Sequence, residues 1–97
     1  MNENIKEKMI ENMTNNLPTL RAKASLSQAQ LAEMIGVSRQ TLVAVENKKR
    51  KMSWSIFMSC FLVFHKNPET NLLMKVYDIY TNELDCYLSG TNSQDGE

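Results

Sequence analysis

The sequence predicts an all-α fold. Gly and Pro number only 3 and 2 among 97 residues, whereas an all-β chain needs turn residues about every ten positions. Apolar residues recur at helical spacing through most of the chain, and a Ser, Thr or Asn stands before several of the segments as an N-cap. The apolar fraction of 42% suffices for one modest core, and the length leaves no room for a second domain.

The first segment is polar and rich in Asn, and it predicts a weak amphipathic helix that frays at its start. The residue before a proline avoids the α region, so Leu17-Pro18 predicts a boundary after an N-terminal extension, residues 1–16. Pro18 then suits the first turn of a short helix that ends near Ala24. The apolar positions at helical spacing are Ile5, Met9 or Ile10, and Met13 in the extension, followed by Leu17.

Two short helices follow, joined by a tight turn. Ser27 and Gln30 have the spacing of a capping box, which predicts a helix start. Gly36 ends this helix because it adopts positive φ at little cost. Ser38 is the N-cap of a third helix that ends near Asn47. The residues expected in the core are Leu31, Ala32, Met34, Ile35, Leu42 and Val45.

The C-terminal half predicts further helices. Ser53 caps a fourth helix over about residues 54–64, whose core stripe is Ile56, Phe57, Cys60, Phe61 and Phe64. Asn67 caps the next segment, with Pro68 at its first position. Residues 68–88 are expected to be helical, either as one helix or, with slight preference, as two helices that break at Thr81. Residues 89–97 are polar and predict a disordered tail.

The formal net charge of zero conceals two unlike parts. Residues 1–66 carry ten basic and five acidic side chains, a net +5, and residues 67–97 carry one basic and six acidic side chains, a net −5. The sharpest basic cluster is residues 48–51, with Arg39 shortly before it. The first part could therefore contact a polyanion, although charge alone is equally consistent with a solvated loop.

Several protein classes are excluded by simple patterns. The chain begins without a basic region followed by an apolar region, so no signal peptide is expected, and the uncharged run 52–64 is too short to span a bilayer. Cys60 and Cys86 form no C-x-x-C pair and are expected to be free thiols. The sequence has one histidine, His65, and shows no metal-ligand cluster, phosphate loop or nucleophile motif. We therefore expect no catalytic residue, metal or cofactor.

The run LSQAQLAEMIGVSRQTL at residues 26–42 resembles the helix-turn-helix of the Cro/CI-type (XRE) family of phage repressors and small bacterial regulators. The resemblance covers about residues 17–64. It implies a lambda-repressor-like bundle of about five helices, here with an extra C-terminal helical segment. Two positions depart from the family pattern: Lys48 stands where Gly is usual, and Met52-Ser53-Trp54 stands where Pro-Ser-Leu is usual.

The resemblance also implies an interface with double-stranded DNA. The third helix would enter the major groove, and the loop after it would neutralise phosphates without reading sequence. Arg21 and Glu46 would form a structural pair that holds the third helix at its angle. The candidate base-edge residues are Ser38, Arg39, Gln40, Thr41 and Ala44. The candidate phosphate contacts are Gln28, Lys48, Lys49, Arg50 and Ser53.

The function expected from these observations is sequence-specific, repressor-type transcription regulation in the cytoplasm. One half-site contact is small, so a homodimer is expected, with residues 17–66 as the DNA-binding domain and residues 67–88 packing on it or dimerising. An antitoxin that binds a toxin protein and regulates its own operon is the alternative, and a fold kept only for protein interaction is a third. The candidate dimer heptad is Leu73, Tyr77, Tyr80, Leu84 and Tyr87.

Overall fold

The computed structural model describes residues 1–90, which form six α-helices and no strand. The all-α prediction is therefore confirmed. Residues 91–97, most of the tail expected to be disordered, lie outside the described residues, whereas Ser89 and Gly90 form the end of the last helix. The helices are α1 (Glu3–Lys23), α2 (Gln28–Ile35), α3 (Arg39–Glu46), α4 (Trp54–His65), α5 (Pro68–Val76) and α6 (Asn82–Ser89).

The helix boundary expected at Leu17-Pro18 is wrong, because α1 continues through Pro18. Asn2 caps α1 by accepting a hydrogen bond from the backbone N–H of Ile5, so the helix is ordered from its start. Proline in a helix interior costs about 3 kcal/mol. Pro18 lies on the exposed side of α1, whereas Leu17 and Leu20 beside it are fully buried. Tertiary burial on both sides of Pro18 therefore outweighs the local preference for a break.

The starts of the other helices agree with the sequence. Ser27 and Gln30 form the expected reciprocal capping box: Gln30 N–H donates to Ser27 Oγ, and Ser27 N–H donates to Gln30 Oε1. The break at Thr81 is confirmed, because its hydroxyl oxygen caps α6. These contacts satisfy backbone donors that a helix leaves unpaired in its first turn. The remaining predicted caps, Ser38, Ser53 and Asn67, also accept from the first turns of α3, α4 and α5.

Most helices end with one residue in the left-handed conformation. Gly36 has a φ of 79° after α2, as expected. The same place is taken by Ser25 after α1, Lys48 after α3 and Asp78 after α5, with φ near 60° in each case. In each of these motifs the next residue's N–H bonds a carbonyl of the last helical turn, as Val37 does to Ala32. The chain thereby reverses within two residues and brings consecutive helices together.

One core joins the helices. α1 packs against α3, α4 and α5, and α2 packs against α3 and α4. Met34 was expected in this core but is 57% exposed. At 100° per residue it lies more than 100° from the direction shared by Leu31, Ala32 and Ile35. The largest fully buried side chains include Met9, Met13, Leu17, Leu20, Leu31, Leu42, Phe57, Phe61, Phe64, Met74 and Ile79.

The expected heptad of the C-terminal segment does not form one continuous surface. α5 ends at Val76, and residues 77–81 separate it from α6. Leu84 is fully buried in the core of its own domain, and the ring of Tyr80 packs edge-on against Phe61 with centroids 5.0 Å apart. The apolar side chains that α5 leaves exposed are instead Leu72 and Val76, which lie one turn apart.

Candidate nucleic-acid interface

The start of α3 presents two long polar side chains to solvent. Ser38 caps the helix: its Oγ accepts from the Thr41 N–H at 3.1 Å and shares a hydrogen bond with Thr41 Oγ1 at 2.9 Å. Leu42 and Val45 are buried, so α3 is rotated with its other face outward. Arg39 and Gln40 are exposed on that face. Within residues 1–90 neither side chain has a hydrogen bond or ion pair, so both are available to a ligand.

The other two base-edge candidates lie closer to the protein body. Thr41 and Ala44 are half-buried. Thr41 is committed to Ser38 through its hydroxyl, and the Ala44 carbonyl accepts from Lys49 N–H at 2.9 Å and Arg50 N–H at 3.2 Å. The methyl group of Ala44 is therefore the part of that residue that could meet a base edge.

Arg21 and Glu46 are brought together, as the resemblance implied. Arg21 Nε lies 2.6 Å from Glu46 Oε2, and Nη2 donates to Oε1 at 3.0 Å. Arg21 Nη1 also donates to the Leu26 carbonyl at 3.0 Å, beside the turn before α2. The side chains are only 16% and 5% exposed. A bidentate pair of this kind connects α1, the α1–α2 turn and the end of α3 with defined geometry.

Gln28 adds a contact to this pair that the sequence reasoning did not foresee. Its Nε2 donates to Glu46 Oε1 at 3.0 Å, and the residue is half-buried. The side chain thus extends from the first turn of α2 to the last residue of α3. A phosphate could still meet the second amide hydrogen of Gln28 or a backbone N–H of this first turn. No short-range spacing indicates the contact, because the two residues are 18 positions apart.

The carboxylate of Glu46 also acts on the core beneath it. Burial, and secondarily the negative charge of Glu46, raise the pKa of the Cys60 thiol from 9.0 to about 12. Cys60 is buried and free, as expected for a small hydrophobic residue, and Cys86 is free and exposed. Cys60 is therefore an uncharged packing residue at neutral pH.

The basic loop, residues 48–51, follows α3 directly. Lys48 adopts the left-handed conformation with a φ of 62°, and Lys48 N–H bonds the Val45 carbonyl at 3.0 Å. The loop backbone is therefore held against the end of α3 although the usual Gly is absent. Lys48, Lys49 and Arg50 are all exposed. Their charges come directly after α3 in the chain and make the connection to α4 strongly positive.

Two further contacts complete the loop. Lys51 is paired with Glu7 of α1, at 2.6 Å, a partner that the sequence reasoning missed. Met52 is buried and fixes the end of the loop in the core. Ser53 Oγ accepts from Ile56 N–H as the N-cap of α4, which leaves its hydroxyl hydrogen to donate. The structure thus positions Lys48, Lys49, Arg50 and Ser53 on one connection between α3 and α4.

Two other kinds of site are absent from residues 1–90. No helix there combines the length and apolar character needed to cross a membrane. Nowhere in this described part do three or more His, Cys, Asp or Glu side chains gather as metal ligands would.

Comparison with known proteins agrees with the geometry. The family model described as Helix-turn-helix matches residues 19–53, a segment that begins within α1 and ends at Ser53, and so includes α2, α3 and the basic loop. No curated protein and no solved structure gives a significant match. Residues 19–53, about a third of the chain, are therefore similar to the helix-turn-helix of the Cro/CI-type (XRE) family of DNA-binding transcriptional regulators.

Proposed function

We propose that this protein is a sequence-specific repressor that inserts the start of α3 into the major groove of double-stranded DNA in the cytoplasm. One observation carries the proposal: Arg39 and Gln40 are exposed and unpaired within residues 1–90 at the N-terminal end of a helix whose other face is buried. The major groove is wide enough for one α-helix. In such motifs the second helix crosses the backbone while the third contacts base edges.

Base reading is assigned to the first turn of α3. Arg39 can donate in bidentate fashion to guanine O6 and N7, and Gln40 can pair with adenine N6 and N7. Ser38 and Thr41 can bond base edges or flanking phosphates. The hydrogen bond between their hydroxyls uses one of the two hydroxyl hydrogens, so the other hydrogen is the one that can be donated to DNA. Ala44 can contact a thymine methyl group.

Phosphate binding is assigned to the flanks of α3. Lys48, Lys49 and Arg50 are exposed cations that would release counterions from DNA and bind without regard to sequence. Gln28 and Ser53 stand at the starts of α2 and α4, where unpaired backbone N–H groups and the helix dipole favour an anion. The roles divide accordingly: α3 would determine which base sequence is bound, and the loop and the starts of α2 and α4 would position the protein on the DNA backbone.

We propose that the protein acts as a homodimer through α5. One half-site contact is small, and two half-sites one turn of DNA apart are the usual solution. Residues 17–66 would bind DNA and residues 67–88 would dimerise, with Leu72 and Val76 as the exposed apolar pair. The recognition helices would then lie roughly 34 Å apart. The antitoxin alternative assigns this face to a toxin protein.

Sedimentation at micromolar concentration tests the dimer. The parent should show about twice the monomer mass of 11.1 kDa, and Val76→Asp should shift it to the monomer because a carboxylate would be buried in the contact. Met34→Asp is the control, since Met34 is similarly exposed but lies on α2. A parent that stays monomeric on duplex DNA would exclude the homodimer.

Selection of binding sites from random duplexes tests DNA reading. The parent should enrich a two-fold symmetric site whose half-sites are about one turn apart. Gln40→Ala should lose the preference at one base position and keep the others. Asn82→Ala, an exposed amide at the start of α6, is the control and should select the parental site. If the parent enriches no sequence, or Gln40→Ala selects the parental site unchanged, the assignment of α3 is wrong.

A further inference from the structure

The N-terminal half of α1 faces the basic loop across a groove of about 560 Å³. The α1 side of the groove carries two carboxylates, Glu7 and Glu11, and one cation, Lys8, whereas the other side carries the cations of residues 48–51. The same loop supplies the proposed phosphate contacts. Because Lys8 pairs with Glu11, Glu7 is the carboxylate of α1 that remains beside the cations that would meet DNA.

One of these carboxylates reaches the loop. Lys51 Nζ lies 2.6 Å from each of the two carboxylate oxygens of Glu7, across a separation of 44 residues. The charged ends of Glu7 and Lys51 are exposed, but buried neighbours anchor their backbones. Ile10, one turn after Glu7, and Met52, directly after Lys51, are both buried. Because buried neighbours hold the two backbones in register, the pair loses less side-chain entropy than an exposed ion pair between flexible segments.

The other cations and the other carboxylate differ from this pair. Within residues 1–90, Lys48, Lys49 and Arg50 have no ion pair. Glu11 pairs with Lys8 on its own helix, at 3.7 Å. Glu7 and Glu11 thus carry the same charge on the same helix one turn apart, and Glu7 alone binds the loop.

We propose, on the basis of the DNA binding proposed above, that Glu7 withdraws Lys51 from the phosphate-binding cations of the basic loop. The third ammonium hydrogen of Lys51 could still reach a phosphate, but the carboxylate of Glu7 would then lie beside that phosphate and offset the charge that Lys51 contributes. Three loop cations instead of four are then available to DNA in each protomer. Glu7 is a positioning residue: it sets the number of phosphates bound, and with it the salt-dependent affinity of the DNA-binding surface.

The test is a salt titration with a fluorescein-labelled duplex of mixed sequence, about three helical turns long. Mixed sequence suffices because phosphate contacts are independent of sequence. Glu7→Gln should steepen the slope of log K against log salt by about 0.9 per protomer, so its advantage over the parent should shrink about 3.5-fold per protomer from 50 to 200 mM salt. Glu7→Gln combined with Lys51→Gln should return to the parental slope.

Glu11→Gln is the matched control, because it removes one negative charge from the same helix without releasing a loop cation. It should keep the parental slope. If Glu11→Gln steepens the slope as much as Glu7→Gln, or if Glu7→Gln leaves it unchanged while the parent binds DNA, the role of Glu7 is refuted and the DNA-binding proposal stands. If the parent itself binds no duplex at low salt, both proposals fail together.

Discussion

Arg21 and Glu46, on α1 and α3, form a mostly buried bidentate ion pair that connects the first helix to the end of α3. Glu46 receives a further hydrogen bond from Gln28, so three helices meet at one carboxylate. Removing one partner of a buried pair leaves a charge without compensation, and that loss exceeds what the pair contributes to stability as a whole.

Arg21→Met should therefore lower the free energy of unfolding by about 3–5 kcal/mol, since it leaves the carboxylate of Glu46 buried with Gln28 alone. Glu46→Gln should cost less, because its amide oxygen still accepts from Arg21 and Arg21 is the more exposed partner. Urea unfolding of both variants and of the double variant measures the coupling. Equal and small losses in the two single variants would mean that the pair is solvated.

Gln40 and Lys49 should differ in what they contribute to DNA binding. Gln40→Ala should cost about 1–3 kcal/mol on the preferred site and relax one base position. Lys49→Ala should weaken all sequences about equally and reduce the salt slope by about one unit per half-site. Arg39→Ala should behave like Gln40→Ala at a guanine, or also lower the slope if Arg39 holds a phosphate.

Salt titrations on the selected and scrambled duplexes make this comparison. Lys66→Ala is the control for Lys49→Ala, because Lys66 lies at the far end of α4, about 20 Å along the helix from Ser53. If Gln40→Ala left the specific-to-scrambled ratio unchanged while Lys49→Ala abolished it, the loop and not α3 would read the sequence.

Phe61 should be essential for folding. Its ring is 2% exposed and contacts Tyr80 and His65, with centroids 5.0 and 5.3 Å away. Phe61→Ala should cost about 3–5 kcal/mol through lost burial and a cavity, which approaches the total stability of a domain this small. Leu62→Ala, at the exposed neighbouring position, should stay within about 0.5 kcal/mol of the parent. Thermal unfolding of the two variants side by side checks the contrast.

Pro18→Ala should stabilise the protein. Alanine restores the backbone hydrogen bond that proline lacks and removes its clash inside α1, which should stabilise the folded state by about 3 kcal/mol. The greater freedom that alanine gives the unfolded chain should reduce the net gain to about 2 kcal/mol. Pro68→Ala is the comparison, because Pro68 stands in the first turn of α5, where proline costs little. A Pro18→Ala variant that melts below the parent would show that α1 requires the proline.

Cys60 should make the protein less stable in alkali. Its pKa is raised to about 12 in the folded state, from 9.0, so above pH 9 the unfolded chain loses a proton that the native chain keeps. The contribution of Cys60 to the free energy of unfolding is therefore fully present below pH 9. It is lost as the pH rises toward 12, by at most about 1.4 kcal/mol per pH unit. Urea unfolding at pH 8 and pH 10 should show a smaller loss for Cys60→Ala than for the parent, and Cys86→Ala should lose as much as the parent.

Much of the helical architecture could be predicted from the sequence because its signals are local. Ser27, Ser38, Ser53, Asn67 and Thr81 begin helices where expected, since a cap contacts backbone groups only two or three residues away. Gly36 ends α2 for an equally local reason. The run at residues 26–42 could be identified because its turn and capping residues must occur in register.

What the tertiary structure alone decided depends on distant neighbours. Pro18 should end a helix by its own chemistry, and burial of Leu17 and Leu20 against other elements keeps α1 continuous. Met34 is apolar and still exposed because α2 has only one face against the core. Gln28 meets Glu46, and Glu7 meets Lys51, across 18 and 44 residues. No spacing in the chain encodes such pairs, because packing of the helices sets which side chains come within hydrogen-bond distance.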